Sequence, residues 1–284
     1  MVEHIAFLGT GLIGRAMAER ALEQGHAVAV WNRTRAKAEP LAALGARVCD
    51  TASDAVRAAT RVHLIVSDDA AVDDVLATLG ETPALIIDHT TTTPAGTIAR
   101  VVRMTQAGRA FLHAPIFMSP AGARTSRGLI LAAGARDLFE RAEPALQQMT
   151  TTVKWLGERA DLAAAYKLFG NAASIGLTAA LADIFSMAAE LAIAPHDALS
   201  LFDVFDPALV LKYRGKAMAA GNFDPSFELS MARKDVRLML ETAGARPLAV
   251  LPAIAARMST LIAQGHGQED LGVLAFDALR GSST

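Results

Sequence analysis

Three glycines near the N-terminus have the types and spacing to hold a phosphate. Gly9-Thr10-Gly11-Leu12-Ile13-Gly14 follows the apolar run His4–Leu8 and opens a helical stretch. In that setting Gly9 permits a tight turn, Gly11 lets a pyrophosphate approach the backbone, and Gly14 lets helix and strand pack closely. A helix start offers free N–H donors and the positive end of its dipole, so Leu12 and Ile13 belong to the same cradle. The chemistry expected here is dinucleotide binding. A second apolar run ends in Asn32-Arg33-Thr34. An NAD site usually has a carboxylate there for the ribose hydroxyls, whereas a guanidinium suits a 2′-phosphate, so NADP(H) is expected in preference to NAD(H). The alternative for Arg33 is a solvated side chain in a surface turn. Val66, Ser67 and Asp68, after the third run, are expected to line the cofactor path through backbone groups.

These residues need a frame. Short apolar runs at His4–Leu8, Ala27–Asn32, Val62–Val66, Ala84–Asp88, Phe111–Ala114, Leu129–Ala133 and Val153–Leu156 read as strands. Helical stretches such as Gly14–Gln24, Ala36–Leu44 and Ala71–Leu79 separate the early ones. That alternation implies βαβ units and a mostly parallel sheet. From Asp161 onward the apolar period is helical throughout, over Asp161–Ala192, Pro195–Asp203, Lys212–Ala219, Ser230–Ala243 and Pro252–Gln264. The expected fold class is an α/β Rossmann-type doubly wound sheet over residues 1–160, followed by an all-α domain over 161–284.

Composition excludes several classes. With 52% hydrophobic and 20% charged residues among 284, the chain is globular rather than disordered. A net charge of −2 gives no electrostatic reason to expect nucleic acid or an anionic membrane as partner. No zinc-type ligand spacing is present, so no metal is expected. Cys49 is the one cysteine, which rules out an intrachain disulfide and fits a cytoplasmic setting. The N-terminus has no signal-peptide pattern. No uncharged apolar run reaches the ~18 residues of a membrane span; the nearest, Ala172–Ala194, is interrupted by Asp183 and Glu190. A helix that apolar is expected in a large core or a subunit interface, so a homodimer or homotetramer is anticipated.

The segment Phe7-Leu8-Gly9-Thr10-Gly11-Leu12-Ile13-Gly14-Arg15-Ala16-Met17-Ala18 resembles the N-terminal signature of the β-hydroxyacid dehydrogenases. These include 3-hydroxyisobutyrate dehydrogenase and the glyoxylate/succinic semialdehyde reductases, within the 6-phosphogluconate dehydrogenase superfamily. The likeness continues in family order through Asp88-His89-Thr90-Thr91-Thr92-Thr93-Pro94, His113-Ala114-Pro115, Leu129–Gly134, Lys167 with Asn171, Gly221-Asn222-Phe223 and Lys234–Leu238. The resemblance implies an NADP(H)-dependent oxidoreductase moving hydride between nicotinamide and an aldehyde, ketone or hydroxy compound, with its active site between two domains. It makes Lys167 and Asn171 the catalytic pair. Four apart on a helix, they share a face; the lysine would donate a proton to the nascent alkoxide and the amide would orient it. Spacing alone reads Lys167 as a snorkelling surface lysine. The resemblance also places Thr91 and Lys234 near the nicotinamide end, with Asp235 fixing Lys234.

One stretch departs from the pattern. The family's substrate loop typically reads Ala-Pro-Val-Ser-Gly-Gly after an acidic residue, with the Ser hydroxyl and glycine N–H groups holding a substrate carboxylate. This chain has His113-Ala114-Pro115-Ile116-Phe117-Met118-Ser119. With Phe117 at the Ser position, either Ile116, Phe117, Met118 and Ser119 form a more apolar substrate pocket, or Phe117 and Met118 pack beneath the loop and backbone still holds a carboxylate. An imine reductase, whose loop is similar to Ile116–Pro120, is the alternative activity. A non-catalytic NADP(H)-binding protein is the second alternative. His113 is expected to be structural.

Overall fold

A computed structural model describes residues 2–280; the last four residues of the expected helical domain lie outside the described residues. The chain divides into two compact units, Met1–Asn171 and Ala172–Thr284.

In the first unit, β1 (His4–Leu8), β2 (Ala27–Trp31), β3 (Arg47–Val48), β4 (Arg61–Leu64), β5 (Leu85–Asp88) and β6 (Phe111–His113) form one parallel sheet in the order β3-β2-β1-β4-β5-β6. Helices α1 (Leu12–Glu23), α2 (Ala52–Val56), α3 (Asp69–Thr78) and α4 (Pro94–Gln106) connect strands of this sheet. β1, β2 and β5 are apolar at nearly every position because both faces are covered, while β4 alternates Arg61 and His63 with Val62 and Leu64. Ile5 and Phe7 of β1 enter one core with Val28, Val30 and Ile87. Ala6 and Leu8, pointing the other way, enter a second core with Val62, Leu64 and Ile86.

The expected strands are present, several one or two residues shorter than their apolar runs. The Ala36–Leu44 helix is instead two 3-10 turns, Arg35–Lys37 and Glu39–Leu44. Pro40 has no N–H to extend a helix through that point.

The chain then leaves the parallel sheet. β7 (Ile116–Phe117), α5 (Pro120–Arg124), β8 (Leu129–Ala132), α6 (Arg136–Met149) and β9 (Thr152–Trp155) contribute a separate three-stranded sheet, β7-β8-β9. β7 runs antiparallel to β8, and β8 parallel to β9. β7 and β3, two residues each, are too short to show a periodic signal and went unrecognised in the sequence.

α7 (Leu162–Glu190) begins in the first unit, which ends at Asn171 rather than at the expected 160. The reason is packing: Leu162 and Ala163 join a small core with Leu129, Leu131 and Ala133 of the second sheet. At 29 residues, α7 is long and apolar enough to cross a membrane by length and composition. Its interrupting carboxylate has a structural use. In the second unit, buried Asp183 accepts hydrogen bonds from the N–H groups of Ala249, Val250 and Leu251 at the start of α11. After α7 come α8 (Pro195–Leu199), α9 (Gly215–Ala219), α10 (Leu229–Ala243), α11 (Leu251–Leu261) and α12 (Phe276–Arg280), joined by 3-10 and π turns. α10 and α11 share a core around Leu229, Val236, Met258 and Leu261.

A polar column crosses the first core. Arg61, paired with Glu3, donates from Nε to His63 Nε2 at 3.1 Å. His63 Nε2 must therefore be unprotonated, so its Nδ1–H donates to His89 Nε2 at 2.9 Å. His89 Nδ1–H in turn donates to the Ala114 carbonyl at 2.6 Å. Both rings are fully buried and neutral: burial pushes His63 well below the usual imidazole range, helped by the charges of His89 and Arg61. Burial also lowers His89 from 6.5 to about 4, against the opposing effects of the Ala114 hydrogen bond and Asp88.

Because the folded state disfavours the charged rings, stability is complete above the unfolded value of 6.5 and is lost as pH falls towards about 4. For His89 that shift corresponds to about 3 kcal/mol. Thermal unfolding followed from pH 7.5 down to pH 4 should show Tm falling most steeply inside this window. His89→Gln should lower Tm at pH 7.5 and flatten the acid limb.

Candidate functional site

The glycine turn sits where β1 ends between β2 and β4, the point at which the strand order reverses and dinucleotides bind in sheets of this kind. Gly9 has φ +102°, and a Cβ there would lie 1.9 Å from the Ile65 carbonyl oxygen. At Gly14 a Cβ would lie 2.1 Å from the Gly9 carbonyl oxygen. These two glycines are demanded by the protein's own backbone. Gly11 is different: a Cβ there meets nothing within 4 Å. It faces a cleft, and α1 starts at that point with no side-chain cap on its free N–H groups.

The cleft encloses about 640 Å³ and is lined by the glycine turn, the end of β2 and the end of β4. Gly9, Gly11, Leu12, Ile13, Gly14, Asn32, Arg33, Thr34, Val66 and Ser67 all border it. Asn32 acts as a staple: its Oδ1 accepts the Thr10 N–H at 3.0 Å and its Nδ2 donates to the Thr34 carbonyl at 2.9 Å. Asp68 is not on the cleft. Its carboxylate accepts from the Ala71 N–H and caps α3. The Val66 N–H, expected to face the cofactor, donates to Thr90 Oγ1 at 3.1 Å.

One basic residue of the lining was not anticipated from the sequence. Lys37 borders the cleft together with Arg33, and neither has an ion-pair partner among the described residues. Arg35, between them, is taken by Glu39 and Asp50. Arg33 and Lys37, in the segment after β2, are thus two free cations on the wall of the cleft. The signal was present as three basic residues at alternate positions, 33, 35 and 37. Asp74, on the α3 wall, is the acidic residue of the lining.

On the second sheet, β7 sends successive side chains to opposite faces. Ile116 is buried in the first core, and Met118 packs against that same core. The Ser119 hydroxyl accepts the Gly122 N–H at 3.0 Å and caps α5. Of the four residues expected to contact substrate, Phe117 therefore stands apart: its ring reaches the first turns of α7. Lys167 Nζ sits 3.9 Å from the centre of that ring. Lys167 also donates to Asn171 Oδ1 at 3.0 Å, joining the expected catalytic pair one helical turn apart. Burial lowers the Lys167 ammonium below its usual 10.5.

His113 is buried and bonded to Asp88 at 3.2 Å, a structural role as expected. Thr91 is half-buried on the turn after β5, and its hydroxyl, unlike those of Thr90 and Thr92, is free of a hydrogen bond among the described residues. Lys234 belongs to the second unit and pairs with Asp235 at 2.7 Å, the contact anticipated from sequence.

The family model of the NAD-binding domain of 6-phosphogluconate dehydrogenase matches residues 4–157. The chain belongs to that family. The cytokine-like nuclear factor N-PAC of Drosophila melanogaster is 30% identical over 84% of this chain, which spans 40% of that protein's length. Glyoxylate/succinic semialdehyde reductase 1 of Arabidopsis thaliana is 27% identical over 94% of both chains. The imine reductase from Pseudomonas sp. has the same fold, with a TM-score of 0.89 at 24% identity over 98% of this chain and 100% of that one. The β-hydroxyacid dehydrogenase resemblance of the motifs agrees with this family membership.

The glycines separate by consequence. Gly11→Ala should keep the wild-type Tm and lose at least tenfold in NADPH affinity by fluorescence titration. Gly9→Ala should fail to fold or lose Tm heavily, since both its φ and the Ile65 carbonyl forbid a side chain.

Proposed function

We propose that the protein is an NADP(H)-dependent oxidoreductase that reduces the carbonyl of an aldehyde or ketone, or oxidises the corresponding hydroxy compound. The observation that carries this is the Lys167–Asn171 pair, half-desolvated and in contact with an aromatic ring, in the same unit as a dinucleotide cleft. The nicotinamide, when bound, supplies or takes the hydride. Lys167 holds a proton at Nζ and passes it to the carbonyl oxygen as negative charge develops there. Asn171 Oδ1 accepts one ammonium hydrogen and so fixes where the others point. The lowered Lys167 pKa brings proton donation and acceptance closer to neutral pH. Arg33 and Lys37 favour NADP(H) by pairing with a 2′-phosphate.

An imine reductase is the second reading. It is favoured by Phe117, which offers the substrate a ring in place of a hydroxyl. A protein that binds NADP(H) without turnover is the third.

Self-association belongs to the same proposal. Phe169, Ile175, Leu211 and Tyr213 are 64%, 69%, 69% and 72% exposed, a density of large apolar side chains on and after α7 that a second copy would cover. Light scattering should give two or four times the chain mass in detergent-free buffer; a monomer would remove this part.

NADPH oxidation with a mixed panel of glyoxylate, succinic semialdehyde, apolar aldehydes and a cyclic imine tests the activity. Turnover of carbonyls supports the first reading, turnover of the imine alone the second, and tight NADPH binding with no turnover the third. Lys167→Ala should cut turnover about 100-fold or more with NADPH affinity kept. In the wild type, carbonyl reduction should fall as pH rises through the Lys167 pKa, and alcohol oxidation should fall as pH drops through it. Arg33→Ala should weaken NADPH far more than NADH, and adding Lys37→Ala should bring the two affinities close to equal.

A further inference from the structure

Lys167, Gly170 and Asn171 occupy one face of α7, at the spacing of adjacent turns. The Phe117 ring lies across that face. A Cβ built on Gly170 would lie 2.4 Å from Phe117 Cζ and 2.7 Å from Cε1, closer than atoms can stand. Gly176, farther along the same helix, meets nothing within 4 Å. Glycine weakens a helix interior, and at 170 it leaves exactly the room the ring fills.

The ring has little freedom to withdraw. Phe117 is in register with Leu129 in the β7–β8 pair. Its side chain packs against the core of Leu131, Ala133 and Ala163. Behind it, Gly128 has φ +152°, and a Cβ there would lie 2.8 Å from the Phe117 carbonyl oxygen. The backbone under Phe117 is thus held by the pairing of β7 with β8 and by a second glycine.

The ring also takes an electrostatic role. Lys167 is partly stripped of water, and no carboxylate stands within ion-pair distance of it among the described residues. The negative face of an aromatic ring compensates an ammonium for part of its lost hydration. That same face repels a carboxylate. A substrate bearing a carboxylate beside its carbonyl would have to displace the ring from Lys167, while one bearing apolar groups would lie against it.

We propose that Phe117 and Gly170 form a matched pair that sets the substrate class, admitting carbonyl compounds whose flanking groups are apolar and rejecting those with a carboxylate next to the reacting carbon. The substrate class rests on the reading of Lys167 as the proton donor of a nicotinamide-linked reductase; the steric pairing does not. Phe117 and Gly170 act as specificity-determining residues, the first by presenting its ring and the second by making room for it.

The test is a double-mutant cycle of Gly170→Ala and Phe117→Ser on the full chain, with Tm, NADPH affinity, and kcat/KM for benzaldehyde and glyoxylate as readouts. Gly170→Ala should lower Tm in the wild-type background and raise it in the Phe117→Ser background, where alanine merely improves the helix. It should cost at least tenfold in kcat/KM for benzaldehyde with NADPH affinity unchanged. Phe117→Ser should shift the benzaldehyde to glyoxylate ratio at least tenfold towards the carboxylate. Equal effects of Gly170→Ala on Tm in both backgrounds would overturn the pairing. A wild type that prefers glyoxylate, or a Phe117→Ser ratio that does not move, would overturn the substrate class. A wild type that binds NADPH and reduces neither aldehyde would remove the Lys167 reading and the substrate class with it, while the Tm cycle would still decide the pairing.

Discussion

The close approach of Gly9 to the backbone of Ile65 is the constraint on which the site depends. With a Cβ position 1.9 Å from that carbonyl oxygen and φ at +102°, only glycine lets β1 turn into α1 while β4 stays hydrogen-bonded beside it. Gly14 repeats the condition one turn later, against the Gly9 carbonyl. Together they bring the uncapped start of α1 to the mouth of the gap between β1 and β4. The Asn32 side chain then ties the end of β2 to the turn, and Arg33 and Lys37 come to border the cleft so formed. A backbone contact decided by two hydrogens instead of two methyl groups thus defines an anion site.

The second sheet solves a different problem, which is to present one side chain to α7 without letting it move. β7 is two residues long, so little ladder holds it. Support comes from around it. His89, at the end of the imidazole column, holds the Ala114 carbonyl, and the Asp88 carbonyl accepts the Ala114 N–H at 2.7 Å. Ile116 is anchored in the core, and Ser119 caps the next helix. The polar column is costly to bury; burial keeps its rings neutral, and each ring proton has one partner to meet. What it secures is the start of the segment that carries Phe117.

Legibility in the sequence varied with the physics behind each feature. The parallel strands were plain because a strand covered on both faces must be apolar almost throughout. The Lys167–Asn171 pair was legible through the family resemblance, since spacing alone reads Lys167 as a surface lysine; the hydrogen bond between them is one that a separation of four allows. Asp68 is absent from the cleft lining, and its carboxylate serves as the cap that an aspartate one residue before a helix offers. Lys37 was passed over because an exposed lysine in a turn carries no mark of its own; what distinguishes it from Arg35 is the absence of a nearby carboxylate.

The sequence by itself determined the dinucleotide turn, the basic end of β2 and the change from α/β to all-helical character. Each of these is a local backbone demand or a period repeated over many residues. Only the tertiary structure decided that Phe117 meets Lys167 and Gly170, that Ile116 and Met118 turn into the core, and that the first turns of α7 belong with the N-terminal unit. Those contacts join segments far apart in the chain through the register of a two-residue strand. That register is set by packing on both its faces, which no local pattern records.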